Sequence, residues 1–312
     1  MASLWLIPYQ ILITMKNILI TGGSGLIGSK LTSLLERKGY KVAWLSRKPA
    51  KKKQKSFSWN LKENTIDEKA LEWCDGIIHL AGAGVAEKRW TDQRKKEILE
   101  SRTHSARLLY DAILKTEKIP KVFISASGVN YYGYDTGEQL IDEDNEAGND
   151  FLAEVVKKWE DEALKFQALG LRTVILRTGL VMDKKEGALV ELLKPPVTAP
   201  LGNGNQYMSW IHINDLTSMY AFVLEKEISG IYNAVAPHPV INSSFTKLAA
   251  KANGKPFIAI PVPAFMLKLV LGEMSKMVLG GIKVSSEKVQ KAGFKFKFPF
   301  LQEALNDIFD QS

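Results

Sequence analysis

The sequence predicts an α/β protein, a doubly wound parallel sheet followed by a smaller, mainly helical C-terminal region. Three observations carry this. Short apolar runs alternate with amphipathic stretches at helical spacing up to about residue 180. The first apolar run leads through a glycine-rich turn, TGGSGLIG at 21–28, straight into a helical pattern. From about residue 243 onward, helical segments punctuated by Gly and Pro replace that rhythm.

The elements follow in order. KNILITG (16–22) is an apolar run of the kind buried on both faces of a parallel sheet. IGSKLTSLLERKG (27–39) is an amphipathic helix stopped by Gly39. YKVAWLS (40–46) is the second strand and CDGIIHLAG (74–82) the third. A long helix spans 91–116, KVFISAS (121–127) is the fourth strand, and a helix spans 148–170. LRTVILRTG (171–179) is the fifth strand. Residues 180–209 read as loop and helix, 210–225 as a short strand entering a helix, and 230–240 as strand and loop. The division expected is an extension at 1–14, a nucleotide-binding domain at 15–242 with substrate-side insertions from about 180, and a small domain at 243–312.

Composition narrows the classes. The chain has 312 residues, 46% hydrophobic and 24% charged, which suits a folded protein and excludes a disordered one. The net charge of +8 favours an anionic ligand without indicating nucleic acid. The tightest basic cluster, RKPAKKKQK at 47–55, reads in its second half as a solvated loop. Cys74 is the single cysteine, so no internal disulfide forms, consistent with a cytoplasmic setting. The four histidines are too far apart in sequence for metal-ligand spacing. The apolar start, MASLWLIPYQILIT, is shorter than the roughly 20 residues a bilayer span needs. Neither a membrane nor a nucleic acid is expected as a partner, and the sequence names neither substrate nor protein partner.

The turn at 21–28 carries chemistry. Gly22, Gly25 and Gly28 allow a tight turn, close approach of a pyrophosphate and close helix packing. The helix start then offers free N–H groups and a positive dipole end to phosphate. This is the phosphate cradle of a Rossmann-like fold. An NAD-binding sheet places a ribose-binding acid at the end of the second strand, about 20 residues on. Here the strand ends Ser46-Arg47-Lys48, with no carboxylate. A guanidinium there can clamp a 2′-phosphate, with Ser46 adding a hydrogen bond, so the cofactor expected is NADP(H) rather than NAD(H).

TGxxGxxG at 21–28, HLAG at 79–82 and SAS at 125–127 together resemble the extended short-chain dehydrogenase/reductases. A narrower likeness is to the atypical, sugar-nucleotide epimerase-like subgroup that carries an extra C-terminal domain of unknown function. It rests on RW (89–90), SR (101–102), SASGVNYYG (125–133), FLAEVVKKWE (151–160), RTGLV (177–181), GNGNQYMSWIHINDL (202–216), YNAVAPHPV (232–240), VLGE (270–273) and GFKF (293–296), nearly the whole chain. The resemblance implies cofactor contacts from Gly22, Ser24, Gly25, Leu26, Ile27 and Gly28 in the turn. It implies Ser46, Arg47 and Lys48 at the 2′-phosphate, and Leu80, Ala81 and Gly82 along the adenosine and ribose. Arg102 would reach a phosphate, Glu97 would orient Arg102 or touch a ribose hydroxyl, and Arg177 would line the crevice at the strand ends. For Arg102 and Arg177, pairing with carboxylates stands as the other reading.

Active members of the wider family place a Tyr and a Lys four apart on the helix after the fourth strand. That pair is absent. The corresponding positions are Leu152 and Val156, or Phe151 and Val155 with a shift of one. This helix therefore reads as packing, through an apolar stripe of Leu152, Val155, Val156 and Trp159. The catalytic candidates left are Ser127, which matches the family's strand-end serine, and Tyr132 in NYYGYD, which alternatively covers the cofactor as an apolar ring with a polar tip. His212 reads as structural and Asp215 as a helix cap. The functions expected are hydride transfer, as a reductase or epimerase, on a small molecule such as a nucleotide-sugar, or non-catalytic NADPH sensing.

Overall fold

The computed structural model describes residues 15–48 and 54–309. The extension read at 1–14 and most of the basic run after Lys48 lie outside the described residues. The chain opens with β1 (Asn17–Thr21), α1 (Leu26–Arg37), β2 (Lys41–Ser46), β3 (Ser56–Asn60) and β4 (Thr65–Ile66). It continues through α2 (Lys69–Trp73), β5 (Gly76–His79), α3 (Asp92–Ile113), β6 (Val122–Gly128), β7 (Leu140–Ile141), α4 (Phe151–Leu164) and β8 (Arg172–Thr178).

The second half holds β9 (Leu180–Met182), α5 (Ala188–Leu193), β10 (Tyr207–Met208), β11 (Trp210–His212), α6 (Ile213–Glu225), β12 (Gly230–Ala234) and β13 (Val240–Ile241). The C-terminal part holds α7 (Asn242–Ala252), α8 (Ala264–Leu271), α9 (Ser275–Leu279), β14 (Lys283–Val284), α10 (Glu287–Lys291) and α11 (Leu301–Phe309). No helix among the described residues is long and apolar enough to cross a membrane.

Eight strands form one sheet in the order β12-β8-β6-β5-β1-β2-β3-β4, parallel except for the β3–β4 pair. Chain order runs outward one way from β1 through β2 and β3, and the other way through β5, β6, β8 and β12. The reversal falls between β1 and β5, so a crevice opens at their C-terminal ends.

Strand alternation fills both faces. Ile18 and Ile20 of β1 pack under α1 and α6, with Leu31, Leu35, Leu216 and Met219. Leu19, one residue over, packs on the opposite face with Leu108 and Leu109 of α3 and Phe166 beyond α4. The run expected as one helix at 148–170 is α4, capped by Asp150, followed by a tighter 3-10 turn at Lys165–Leu169.

The C-terminal helices do not stand apart from the 180–210 segment. Phe245 and Ala249 of α7 and Leu301 and Leu305 of α11 share one cluster with Met182, Leu189 and Trp210. β14 pairs with β7, which draws residues 283–284 onto the rim of the main domain. Asp215 fixes a second tie. It was expected as the cap of α6, but His212 caps that helix, its Nδ1 accepting from the Asn214 N–H at 3.1 Å. The Asp215 carboxylate instead accepts the backbone N–H groups of Lys297 and Phe298, at 2.8 and 2.9 Å.

Candidate functional site: a phosphate cradle at the sheet switch point

Beyond β1 the chain turns at Gly22, whose φ of 69° lies in the left-handed region that suits glycine. A Cβ there would meet the Leu80 carbonyl at 3.0 Å. At Gly28 a Cβ would lie 2.4 Å from the Gly22 oxygen, so only glycine lets α1 pack this closely on its own entry turn. Gly25 stands at the N-cap and supplies no side-chain acceptor. The first-turn N–H groups of Leu26, Ile27 and Gly28 are therefore left for an anion. Ser24 is exposed at the tip. A cavity of about 760 Å³ runs beside the turn, between α1 and α6, lined among others by Ser24, Lys30, Asp183 and Asn214.

A buried hydrogen-bond chain holds the floor of the cradle. Thr21 Oγ1 accepts the N–H groups of Leu80 and Ala81, both at 3.1 Å. Its one proton is then free for His79 Nδ1, 2.8 Å away. His79 Nε2 must carry the ring proton and donate to Ser105 Oγ at 3.1 Å. Burial pulls His79 down to about 4, which keeps the ring neutral. The chain ties β1, β5 and α3 together beneath the strand ends and sets the backbone of Leu80 and Ala81. The sequence reading missed Thr21, His79 and Ser105, although a histidine inside an apolar strand signals a partner in the core.

Three cations lie around this region. Arg47 and Lys48 are exposed past the end of β2, and Ser46 Oγ closes the turn onto the Lys48 backbone. Arg102 sits against Gly82, where a Cβ would be 3.1 Å from its Cζ, and over the Trp159 ring at 5.1 Å. Its Nη1 donates to the carbonyls of Ala83 and Ile98. No carboxylate pairs with it among the described residues, and burial pulls it down to about 10. Glu97 does not orient Arg102, as one expectation had it. It pairs with Arg94 at 2.7 Å, and that hydrogen bond holds its carboxyl below the usual range.

Arg177, expected at the cofactor, is taken up inside the protein. Its Nε and Nη2 donate to the two oxygens of Glu160 at 2.9 and 2.8 Å, and its Nη1 donates to the Tyr132 hydroxyl at 2.9 Å. The Tyr131 ring lies over its Cζ at 3.4 Å. Burial works against its charge, but the bonds to Glu160 more than offset this and raise it above its ordinary value. The other reading of this arginine, an ion pair, is the one observed.

The catalytic candidates are bound into the same cluster. Ser127 donates to Glu160, and Tyr132 donates to Asn233 Oδ1 at 2.8 Å. Burial pushes the Tyr132 hydroxyl up to about 12, so it holds its proton at neutral pH. On α4, Leu152, Val155, Val156 and Trp159 are all buried, and the helix packs as the sequence indicates. Glu160 was missed, although it falls one turn after Val156 on the apolar face, where an acid requires a partner. His212 is likewise structural: burial pulls it down to about 4. No group of acids, cysteines and histidines that could hold a metal occurs among the described residues.

Known proteins resemble the chain in sequence and fold. The NAD dependent epimerase/dehydratase family matches residues 18–234, and a domain of unknown function (DUF1731) matches residues 262–308. The epimerase family protein YfhF of Bacillus subtilis is 35% identical over 298 residues, 94% of this chain and 97% of its own. The mouse epimerase family protein SDR39U1 is 34% identical over 300 residues, 94% of this chain and 99% of its own. The crystal structure of human SDR39U1 with NADPH superposes with a TM-score of 0.84 at 31% identity, covering 95% of this chain and 100% of that one. A nucleoside-diphosphate sugar epimerase from Corynebacterium glutamicum gives a TM-score of 0.76 at 29% identity, covering 95% of this chain and 58% of that one.

Proposed function

The chain belongs to the NAD dependent epimerase/dehydratase family, and from that premise we propose that it binds NADP(H) across the β1/β5 crevice and works as a reductase or epimerase on a small molecule. One observation carries the reading: a tight glycine turn that leaves the first N–H groups of α1 free for an anion, set beside a strand end that bears Arg47 and no acid. The NADPH in the human relative supports it. When bound, the cofactor supplies or accepts a hydride. The chain's part is to hold it. Gly22 to Gly28 take the pyrophosphate, Arg47 with Ser46 and Lys48 takes the 2′-phosphate, and Leu80, Ala81 and Gly82 line the adenosine and ribose. Arg102, a cation that pairs with no carboxylate among the described residues, takes a further phosphate oxygen. The substrate class we infer is a nucleotide-sugar, in line with the bacterial sugar epimerase of the same fold.

A second reading is favoured by the locked cluster of Ser127, Tyr132, Glu160 and Arg177, in which the Glu160 carboxylate of α4 is committed to Ser127 and Arg177. It is that of a protein that binds NADPH without turning it over and whose partner follows the cofactor's redox state. Such a sensor must bind the two forms unequally.

Incubation with deuterium-labelled NADPH and a small-molecule extract separates the two. Transfer of deuterium to an extract component, lost in Ser127→Ala or Tyr132→Phe, supports the enzyme. Tight NADPH binding with no deuterium transfer, and no epimerisation of nucleotide-sugars by the protein loaded with NADP+, refutes it and supports the sensor.

A further inference from the structure

Six of the eleven large apolar side chains exposed among the described residues fall within 258–270: Ile258, Ile260, Phe265, Met266, Leu269 and Val270. Four of them are at least 70% exposed. α8, which carries the last four, has no buried residue. It is held at its C-terminal end, where Arg89 donates to the Leu269 carbonyl at 3.2 Å and Lys95 pairs with Glu273 at 2.6 Å. Ala264, Leu267 and Leu271 line its inner, half-buried side, and the outer side faces solvent. A helix apolar all round normally lies inside a protein or in lipid. At eight residues α8 is far below the roughly 20 a bilayer span needs.

The surrounding charge is one-sided. From 244 to 286 there are six lysines and one acid, Glu273, which is already paired with Lys95 and Lys276. Lys268 stands exposed in the middle of α8. An exposed apolar face that carries Lys268, in a segment where lysines outnumber acids six to one, is complementary to an anionic, deformable surface. A protein groove takes up one face of a helix, read at every third or fourth position. Here Phe265 and Leu269 lie along one line and Met266 and Val270 along the next, and all four are exposed. Fluid acyl chains accept both exposed lines at once, while Lys268 can reach the headgroups on its aliphatic stem.

We propose that residues 258–271 form an interfacial anchor that seats the protein on an anionic bilayer, with α8 lying at the headgroup boundary and no segment spanning it. The proposal is independent of the cofactor assignment, and it revises the expectation of no membrane partner.

The test is co-sedimentation of the full chain with vesicles of phosphatidylcholine, with and without phosphatidylglycerol. Partition onto the anionic vesicles, falling with added salt, is expected. The double variant Phe265→Asp/Leu269→Asp should lower partition by at least about tenfold, and Lys268→Glu should lower it by a smaller factor. Both substitute exposed side chains, so circular dichroism and the thermal midpoint should be unchanged. Three results would overturn the proposal. One is the absence of partition onto either vesicle. Another is equal partition of the wild type and the double variant, which would put any anchor elsewhere. The third is a dimer in sedimentation velocity that the double variant abolishes, which would assign the face to a second copy.

Discussion

Arg177 and Glu160 form a two-point ion pair with N···O distances of 2.9 and 2.8 Å, their side chains only 2% and 4% exposed. The pair joins the end of β8 to the apolar face of α4 and gathers Ser127 and Tyr132 around it. It lies on the helix where the wider family's Tyr–Lys pair is expected, and it holds Ser127 and Tyr132 in hydrogen bonds.

Removing one partner of this pair strands a buried charge. Glu160→Ala should destabilise the fold by about 3–5 kcal/mol, measured by urea unfolding. The paired replacement Glu160→Leu/Arg177→Met should recover most of that loss, because no charge is then left alone. A loss below about 1 kcal/mol for Glu160→Ala would mean the pair contributes no more than a surface bridge.

Gly28 should tolerate no side chain. Gly28→Val places carbon within the closest approach of the Gly22 carbonyl, so α1 must shift from its entry turn. Expected are a loss of roughly 1–3 kcal/mol in stability and a loss of NADPH affinity. Unchanged affinity would exclude the turn as the phosphate site.

Stability should fall on mild acidification. His79 and His212 are both held near 4 in the folded chain, against an ordinary value of 6.5. Between these values the unfolded chain binds protons that the folded chain refuses. Their contribution is therefore complete above about pH 6.5 and is lost as pH falls toward 4, by up to about 3 kcal/mol for each ring. His212→Asn keeps a side-chain acceptor at the N-cap of α6 and removes one titrating ring. It should flatten the dependence measured by urea unfolding at pH 7 and 4.5.

Asp215 should control the C-terminal segment. Asp215→Ala leaves the N–H groups of Lys297 and Phe298 without their acceptor, at a cost of about 2 kcal/mol. Amide exchange should quicken at those two positions first. Equal protection in variant and wild type would show that the hydrophobic cluster alone holds the segment.

The fold was legible where one physical requirement dominates. A strand buried on both faces must be largely apolar, and β1, β5 and the first half of β6 show it. β3 and β4 passed unread because SFSWN buries only Trp59 fully and lies near the sheet edge, where polar residues are tolerated. The cradle was legible because glycine answers a local demand for close approach. Partners far apart in sequence were not. Arg177 carries no mark that selects Glu160 over a phosphate, and nothing near His79 announces Ser105 across 26 positions. Glu160, though missed, carried a readable signal, since an acid on an apolar stripe asks for a counter-charge.

The most direct test of the account is a calorimetric titration of the purified chain and of Arg47→Glu with NADPH and with NADH. Arg47 is exposed, so the substitution should leave the fold intact. The account predicts that the wild type binds NADPH at least about tenfold tighter than NADH, a gap near 1.4 kcal/mol, and that Arg47→Glu abolishes the preference. Equal affinity for the two cofactors in the wild type, or a preference that survives Arg47→Glu, would contradict it.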